Sequence, residues 1–388
     1  HKAIRRQRQM CIRDRERNIH IALQKSTVLQ AFHKRILDYC DETLKEAPVK
    51  RIKEGKRLLG VSRIVLKRVF YLSYAYRMTG EKEYLRRAEK EMLAAASFID
   101  WNPSHFLDVS EMSMGLAIGY DWLFNELLPD SRKKIRQAIV EKAIEASKTK
   151  HASFYQSRTN WNQVCNGGLV CSALAIYEDE PEKTKEIINK ALQTVPLALE
   201  CYAPDGGYPE GFGYWSYGTS YQVMLNDALE SSLGHDAGLS DYPGFLQSAQ
   251  YIQYMTAPTG DCFNFSDASP KAYGNIMMFW FAHKTKNPSL LWLEKKYLND
   301  ANLEFGEYLE ERFLPCLLIF ASRIDLDEVI SPKGNTWHSI GTTPVYIYRS
   351  GWNYKTDTYL GVKGGTASTS HAHMDAGSFI YEQAGVRW

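Results

Sequence analysis

The sequence predicts an array of helix hairpins followed by antiparallel strands, and two patterns carry that prediction. From about residue 18 to 325, apolar residues recur at three- and four-residue spacing, which is the period of an amphipathic helix. After Ile340 the pattern alternates and β-branched and aromatic residues become frequent, as is typical of strands. The chain has 388 residues, of which 44% are hydrophobic and 24% charged, so it is long enough to fold as two globular domains.

A recurring phrase in the helical region indicates repeated hairpins. An apolar helix ends at Gly80, and a charged amphipathic helix follows over residues 81–98. Residues 175–186 and, more weakly, 281–292 have the same arrangement of apolar helix, Gly or Pro turn and charged helix. Such repeats bury the first helix of each pair against its neighbours and expose the second. The sequence therefore predicts a curved or closed array of hairpins.

Long loops rich in glycine and aromatic residues connect these helices. One precedes residue 107, and another is expected to run from Ala203 to Tyr221. Loops of this length in a compact domain are usually functional. The strands are predicted at 344–349, 357–363 and 378–382, so a β-domain is expected over residues 335–388, after a helical domain over 18–334.

The basic first segment, residues 1–17, is predicted to be a disordered or non-native tail. We expect the chain to be a fragment cut at both ends, because it opens without Met and stops in the middle of a predicted strand. The net charge of +2 gives no argument for nucleic acid as a partner. Seven cysteines without CxxC pairs indicate neither a zinc knuckle nor a disulfide framework. No apolar run reaches the ~20 residues of a membrane span.

Three stretches carry the candidate chemistry. In the last, His371 and His373 are two apart and point the same way in an extended segment, which suits a proton-transfer site, a metal site or one of each. Local hydrogen bonding of both rings is the ordinary alternative. In the helical region, neutral amides cluster near a helix start that Asn160 is expected to cap, and such amides suit carboxylates or sugar hydroxyls. Glu210 and Tyr214 lie in the glycine-rich loop and are expected to point into a cleft.

Four stretches are informative as a set: residues 160–168 (NWNQVCNGG), 204–215 (PDGGYPEGFGYW), 371–377 (HAHMDAG) and, in support, 101–122. Taken together, they resemble the heparinase II/III family of polysaccharide lyases, and most of all its heparinase II branch. The resemblance covers most of the chain from about residue 60 onward. It implies an (α/α) toroid of helix hairpins followed by an antiparallel β-sandwich domain, here incomplete, with a cleft between them.

The resemblance implies cleavage of 4-linked uronic-acid glycans, such as heparin or heparan sulfate, by β-elimination in a periplasmic or secreted bacterial enzyme. Asn160 takes the position that binds the uronate carboxylate, Tyr214 that of the tyrosine serving the glycosidic oxygen, and His371 that of the catalytic histidine. The heparinase II branch has a histidine at the place of Asn160, which weakens heparin or heparan sulfate as the assumed substrate. Asn162 or Tyr217 are alternatives for the roles of Asn160 and Tyr214. We expect further substrate contacts from Asn162, Gln163, Glu210, Trp215 and Tyr217.

The resemblance also implies a structural zinc ion, because His373 matches a zinc ligand. Its partners are expected beyond Trp388. No organic cofactor is expected, and the substrate is an anionic polysaccharide.

Two other functions remain open at this point. A glycoside hydrolase with a toroid would use paired carboxylates, for which Asp205, Glu210 and Asp267 are available. A catalytically inactive glycan-binding protein would bind without turnover. A lyase differs from both because its product carries a C4–C5 double bond.

Overall fold

The computed structural model describes residues 2–299 and 310–388 as helices followed by one antiparallel sheet. This arrangement confirms the predicted fold class. The helices are α1 Lys2–Lys25, α2 Thr27–Lys45, α3 Leu59–Thr79, α4 Lys82–Ala96, α5 Phe106–Trp122, α6 Pro129–Ile139, α7 Asn160–Ala175, α8 Pro181–Thr194, α9 Pro196–Leu199, α10 Phe212–Leu233, α11 Ser248–Met255, α12 Met278–Thr285, α13 Trp292–Asn299 and α14 Leu314–Ala321.

The helices form an inner and an outer layer. The inner helices α3, α5, α7 and α10 pack side by side in that order and are buried over most of their length. Helices α4, α6 and α8 each follow an inner helix and bury one face only. The predicted hairpin is confirmed at Gly80, which caps α3 in the left-handed region at φ 76°. The starts of α3, α5, α7 and α10 lie at one end of the layer, because contacts of Leu58 with Asp108, of His105 with Trp161 and of Asn160 with Glu210 join them in turn.

The first segment differs from the expected disordered tail. Helix α1 continues from Lys2 to Lys25, while His1 lies outside the described residues. Ile12 and Ile19 are buried, and the guanidinium of Arg15 lies 2.7 Å from the carboxylate of Asp227 on α10. The basic composition concealed an amphipathic helix whose apolar side packs on the inner layer.

The five strands pair in sequence order, each antiparallel to the next. One sheet face, with Val345, Ile347 and Tyr359, is buried, whereas Tyr346 and Phe379 on the other face are exposed. Three strands match the predicted ones, and two shorter strands flank them. The strands are β1 Thr336–Ser339, β2 Val345–Arg349, β3 Tyr359–Lys363, β4 Phe379–Gln383 and β5 Val386–Arg387.

Hydrogen bonds hold the sheet on the helical layer. The carboxylate of Asp205 accepts from the Ser339 hydroxyl at 2.7 Å and from the Ile340 amide at 2.8 Å. The hydroxyl of Tyr359 donates to the Tyr254 carbonyl at 2.9 Å from within the buried face. These contacts fix the sheet, from which the loop between β3 and β4 with both histidines extends, against the helical layer.

Candidate active site

Asn160 is the first residue of α7, and its side chain is buried. The helix cap is Thr159, whose hydroxyl accepts from the Trp161 amide at 3.4 Å. The expectation that Asn160 itself caps the helix is therefore wrong. Since Thr159 serves the helix end, the Asn160 amide group remains available for other contacts.

Glu210 contacts Asn160 through a carboxylate that is 3% exposed. This carboxylate accepts from the Asn160 backbone amide at 2.9 Å and from its side-chain nitrogen at 3.2 and 3.3 Å. The Tyr208 hydroxyl donates to it at 2.9 Å. A carboxylate at the positive end of α7 is favourable, and these donors hold it firmly in place.

Tyr214 lies in the first turn of α10, four residues after Glu210. The loop ends at Gly211, whose φ of 85° lies in the left-handed region, and a Cβ there would come 2.9 Å from the Phe265 carbonyl oxygen. Helix α10 starts at the next residue, so the expected loop up to Tyr221 is wrong beyond Gly211. The half-buried Tyr214 ring therefore projects from a helix and not from a loop.

His371 comes from the sheet and meets Tyr214 face to face. The two ring centroids are 3.9 Å apart and the planes differ by 21°. The His371 Nε2 atom lies 3.7 Å from Glu210 Oε1. His371 has φ 57°, a left-handed conformation that costs a residue with a side chain energy and recurs at functional sites. The three residues predicted from separate stretches therefore lie together: Glu210 contacts both Asn160 and His371, and Tyr214 stacks on His371.

Asp267 holds both loop histidines. Its Oδ2 lies 2.6 Å from His371 Nδ1, and its Oδ1 lies 3.0 Å from His373 Nε2. The hydrogen bond from His371, followed by that from His373, lowers the pKa of the Asp267 carboxyl. From the sequence alone, Asp267 is visible only as a candidate hydrolase carboxylate, because a contact across 104 positions leaves no spacing signal.

The surroundings of Tyr214 keep its hydroxyl protonated. Burial raises the pKa of Tyr214, the carboxylates of Asp267 and Glu210 raise it further, and the guanidinium of Arg57 opposes them. A phenol in such surroundings is better suited to donate a proton than to remove one.

The remaining predicted contact residues are packed within the helical layer. The Asn162 side chain donates to the carbonyls of Ser157 and Thr194 at 2.9 Å, and that of Gln163 donates to the Tyr202 hydroxyl at 2.8 Å. All the side chains in this group are buried, as is that of Asn160, but unlike Asn160 none of them bonds to Glu210 beside His371. The group comprises Asn162, Gln163, Trp215 and Tyr217.

The positions of Asn162 and Tyr217 give no support to their alternative roles in place of Asn160 and Tyr214. The Tyr217 hydroxyl donates to Glu111 at 2.8 Å, inside the helical layer. Asn162 bonds to backbone carbonyls, as described above. Asn160 is therefore linked to His371 through Glu210, and Tyr214 stacks directly on His371.

A metal does not fit the histidine loop as it stands. Among residues 2–299 and 310–388, no cluster of three or more His, Cys, Asp or Glu side chains has an arrangement that would hold a metal ion. The His373 ring instead bonds to Asp267. The zinc role of His373 stays a prediction, and no chemical step below involves a metal. Within the same ranges, none of the helices is both long and apolar enough to span a bilayer.

Comparisons with known proteins identify the fold. No family model matches the sequence, and no curated protein matches it. Among solved structures, heparinase III aligns over 89% of this chain and 51% of its own length, with 12% identity and a TM-score of 0.53. Heparan sulfate lyase HepC from Pedobacter heparinus aligns over 87% of this chain and 50% of its own, with 15% identity and a TM-score of 0.47. The chain thus spans about half the length of these structures, and it shares the fold of heparinase III.

Proposed function

We propose that this chain carries the catalytic machinery of a polysaccharide lyase that cleaves glycans at 4-linked uronic acids by β-elimination. The observation that carries the proposal is the stack of Tyr214 on His371 beside Asn160. These three side chains come from two helices and a sheet loop, and they meet at one end of the inner helices. Heparinase III, which has the same fold, supports the lyase class.

The chemistry requires three groups. Removing the C5 proton adds negative charge next to a carboxylate, so that carboxylate must be neutralised by hydrogen bonding, and Asn160 serves this purpose. A base must accept the C5 proton, and an acid must protonate the leaving O4 oxygen. His371 and Tyr214 supply these two functions.

In the proposed reaction, His371 is the base and Tyr214 the acid. When Nδ1–H of His371 donates to Asp267, Nε2 carries the ring's lone pair and takes the C5 proton. The C4–O4 bond breaks as Tyr214 gives its phenolic proton to O4, and the C4–C5 double bond forms. Return of the proton from imidazolium to phenolate restores the site. Tyr214 as the base would need the phenolate, which its raised pKa disfavours.

The hydrolase alternative gains no support from the carboxylates. Glu210 is buried under three donating groups, and Asp267 is bonded to both histidines. Neither is placed as a free acid or base across a glycosidic bond, as paired catalytic carboxylates must be.

One assay tests the proposal. The protein is incubated with heparan sulfate, hyaluronan, chondroitin and alginate while ultraviolet absorbance of unsaturated uronates is followed. We expect absorbance to rise on at least one glycan. No rise on any glycan would refute the lyase reaction, and release of reducing ends without absorbance would indicate hydrolysis.

A further inference from the structure

The segment between α2 and α3 is a dense positive patch. Residues 50–57, KRIKEGKR, include Lys50, Arg51, Lys53, Lys56 and Arg57 with a single carboxylate, in a chain whose net charge is +2. We call residues 50–57 the basic loop. Nearly all its side chains are exposed. A positive field of this kind is local and does not come from an overall excess of charge.

The backbone of the basic loop is fixed in place. Glu54 and Arg57 exchange backbone hydrogen bonds of 2.9 and 3.1 Å. The Asn102 side chain donates to the Lys56 carbonyl at 2.8 Å, and Asp108 accepts from the Leu58 amide at 2.6 Å. The exposed cations are therefore presented from a preorganised turn, which lowers the entropy cost of binding.

Asp108, which accepts from the Leu58 amide, also connects the basic loop to the candidate active site. Asp108 also bonds to His105 Nδ1 at 2.6 Å, and the His105 ring meets the Trp161 ring edge-on at 5.0 Å. Trp161 directly follows Asn160. On the other side, Arg57 is close enough for its charge to act on Tyr214. The basic loop therefore borders the cleft in which Asn160 and Tyr214 meet.

Three of its five cations are free for a ligand among the described residues, and two of these, Lys56 and Arg57, are adjacent in sequence. Arg51 pairs with Asp100 at 2.5 Å, and Lys53 donates to the Asn102 side chain at 3.0 Å. Within the described part of the chain, Lys56 and Arg57 have no ion-pair partner. A guanidinium and an ammonium side by side match the oxygens of a sulfate group, which they can bind by charge-assisted hydrogen bonds.

We propose that the basic loop is a binding site for sulfate groups on the sugars next to the cleaved uronate, with Lys56 and Arg57 as the contacting residues. The proposal rests on the proposed function for the glycan as ligand. It adds a determinant of specificity that lies outside the reacting residues.

The test compares two double variants with the same change in charge. Lys56→Gln with Arg57→Gln removes two positive charges from the basic loop and leaves its backbone bonds in place. Lys133→Gln with Lys134→Gln removes two exposed charges from α6, which follows the opposite end of α5. Binding of a heparan sulfate oligosaccharide and of an unsulfated one of the same length is measured by calorimetry at several salt concentrations.

We expect the loop variant to raise the Kd for the sulfated oligosaccharide on the order of tenfold, as for loss of charge-assisted contacts. The Kd of the loop variant should also depend less steeply on salt concentration, because binding displaces fewer counterions. The α6 variant should bind like the original protein, and unsulfated binding should change little in either variant.

Equal weakening in both variants, or sulfated binding that survives the loop variant, would overturn the proposal. The same holds if no protein binds the sulfated oligosaccharide. The result is separable from the proposed function, because every protein in the comparison also carries Tyr214→Phe, which is expected to stop turnover during the binding measurement. If the protein with Tyr214 intact cleaves no glycan but sulfated binding is lost only in the loop variant, the lyase reaction is refuted and the binding site is kept.

Discussion

The two sides of the candidate site are held in different ways. On the helical side, Asn160 and Glu210 are nearly fully buried, and each is fixed by bonds to neighbouring helix ends. On the sheet side, the side chains of His371 and His373 are 27% and 54% exposed. Their loop is oriented by one carboxylate, Asp267, which comes from the helical part of the chain.

This difference indicates where the site is vulnerable. Loss of a partner within a buried hydrogen-bond network costs stability as well as geometry, whereas an exposed ring whose Nδ1 bonds to one carboxylate can change tautomer without a cost to the fold. Substitutions on the sheet side should therefore alter the chemistry without lowering stability. Those on the helical side should alter both.

Tyr214→Phe tests the residue at which the two sides meet and should have the largest effect. The phenyl ring keeps its stack on His371, but the proton for O4 is lost. We expect kcat to fall by roughly 10²–10⁴-fold with little change in the melting temperature. Kinetics on the best glycan measure this.

Tyr381→Phe is the matched control, because that hydroxyl donates only to Gln383 on the sheet. Full activity in Tyr214→Phe would remove Tyr214 from the mechanism, and with it the assignment of the acid.

Asp267→Asn tests the dependence of the sheet side on one carboxylate. The asparagine amide can donate to His371 Nδ1, which would move the ring proton to Nε2 and remove the base from the cleft. We expect kcat to fall on the order of 100-fold. The ring ¹⁵N chemical shifts of His371 should report the changed tautomer even without substrate.

Asp205→Asn is the control for a general loss of contact between helices and sheet. Asp205 also bonds across that boundary, to Ser339 and Ile340, but touches neither histidine. If the two variants lost equal activity, or if the His371 nitrogen shifts stayed unchanged in Asp267→Asn, the positioning role would be rejected.

Glu210→Gln tests the helical side. Glutamine keeps the size of the side chain but turns one acceptor into a donor facing Asn160 or Tyr208. We expect kcat to fall about tenfold, the effect of about 1.5 kcal/mol from a lost charge-assisted hydrogen bond, together with a lower melting temperature. Glu230→Gln, at the other end of α10, is the control. Unchanged kcat in Glu210→Gln would mean that Asn160 does not need this carboxylate.

Much of the fold was predictable because it follows from periodic patterns. The hairpin that turns at Gly80 and the three longer strands were predicted from spacing and turn residues alone. Helix α1 was missed because charge concealed its apolar stripe. The start of α10 was misplaced because Gly213 and Gly218 read as loop, although Gly218 is in a helix where Asn160 and Gln163 leave no room for a side chain.

The site was less predictable because its key contacts connect distant parts of the chain. Asn160, Tyr214 and His371 carried motif signals, and they converge. The carboxylate contacts of Glu210 and Asp267 depend on side-chain directions that a sequence does not contain. The position of the basic loop next to Tyr214 also required the fold, because 157 positions separate Arg57 from it.

Glu294 lies in the support behind the helical side, and its predicted effect is on stability and not on kcat. It accepts from the Asn275 amide at 2.9 Å, and the Asn275 side chain donates to Ser216 on α10 at 2.6 Å. Burial raises the pKa of Glu294 from 4.5 to about 8. Between these values the folded chain keeps Glu294 protonated while the unfolded chain ionises it. The free energy of unfolding should therefore decrease as the pH rises through this window, by up to about 1.4 kcal/mol per pH unit.

Glu294→Gln removes this titration, because glutamine stays neutral in both states. Thermal unfolding of the two proteins across the window should show the stability advantage of the variant growing with pH and levelling off above about 8. Glu182→Gln, on the exposed face of α8, should leave the pH dependence unchanged. Parallel stability curves for the original protein and Glu294→Gln would mean that Glu294 is ionised in the fold. In that case Glu294 would be a buried charge behind the helical side, and its carboxylate would need a cationic partner.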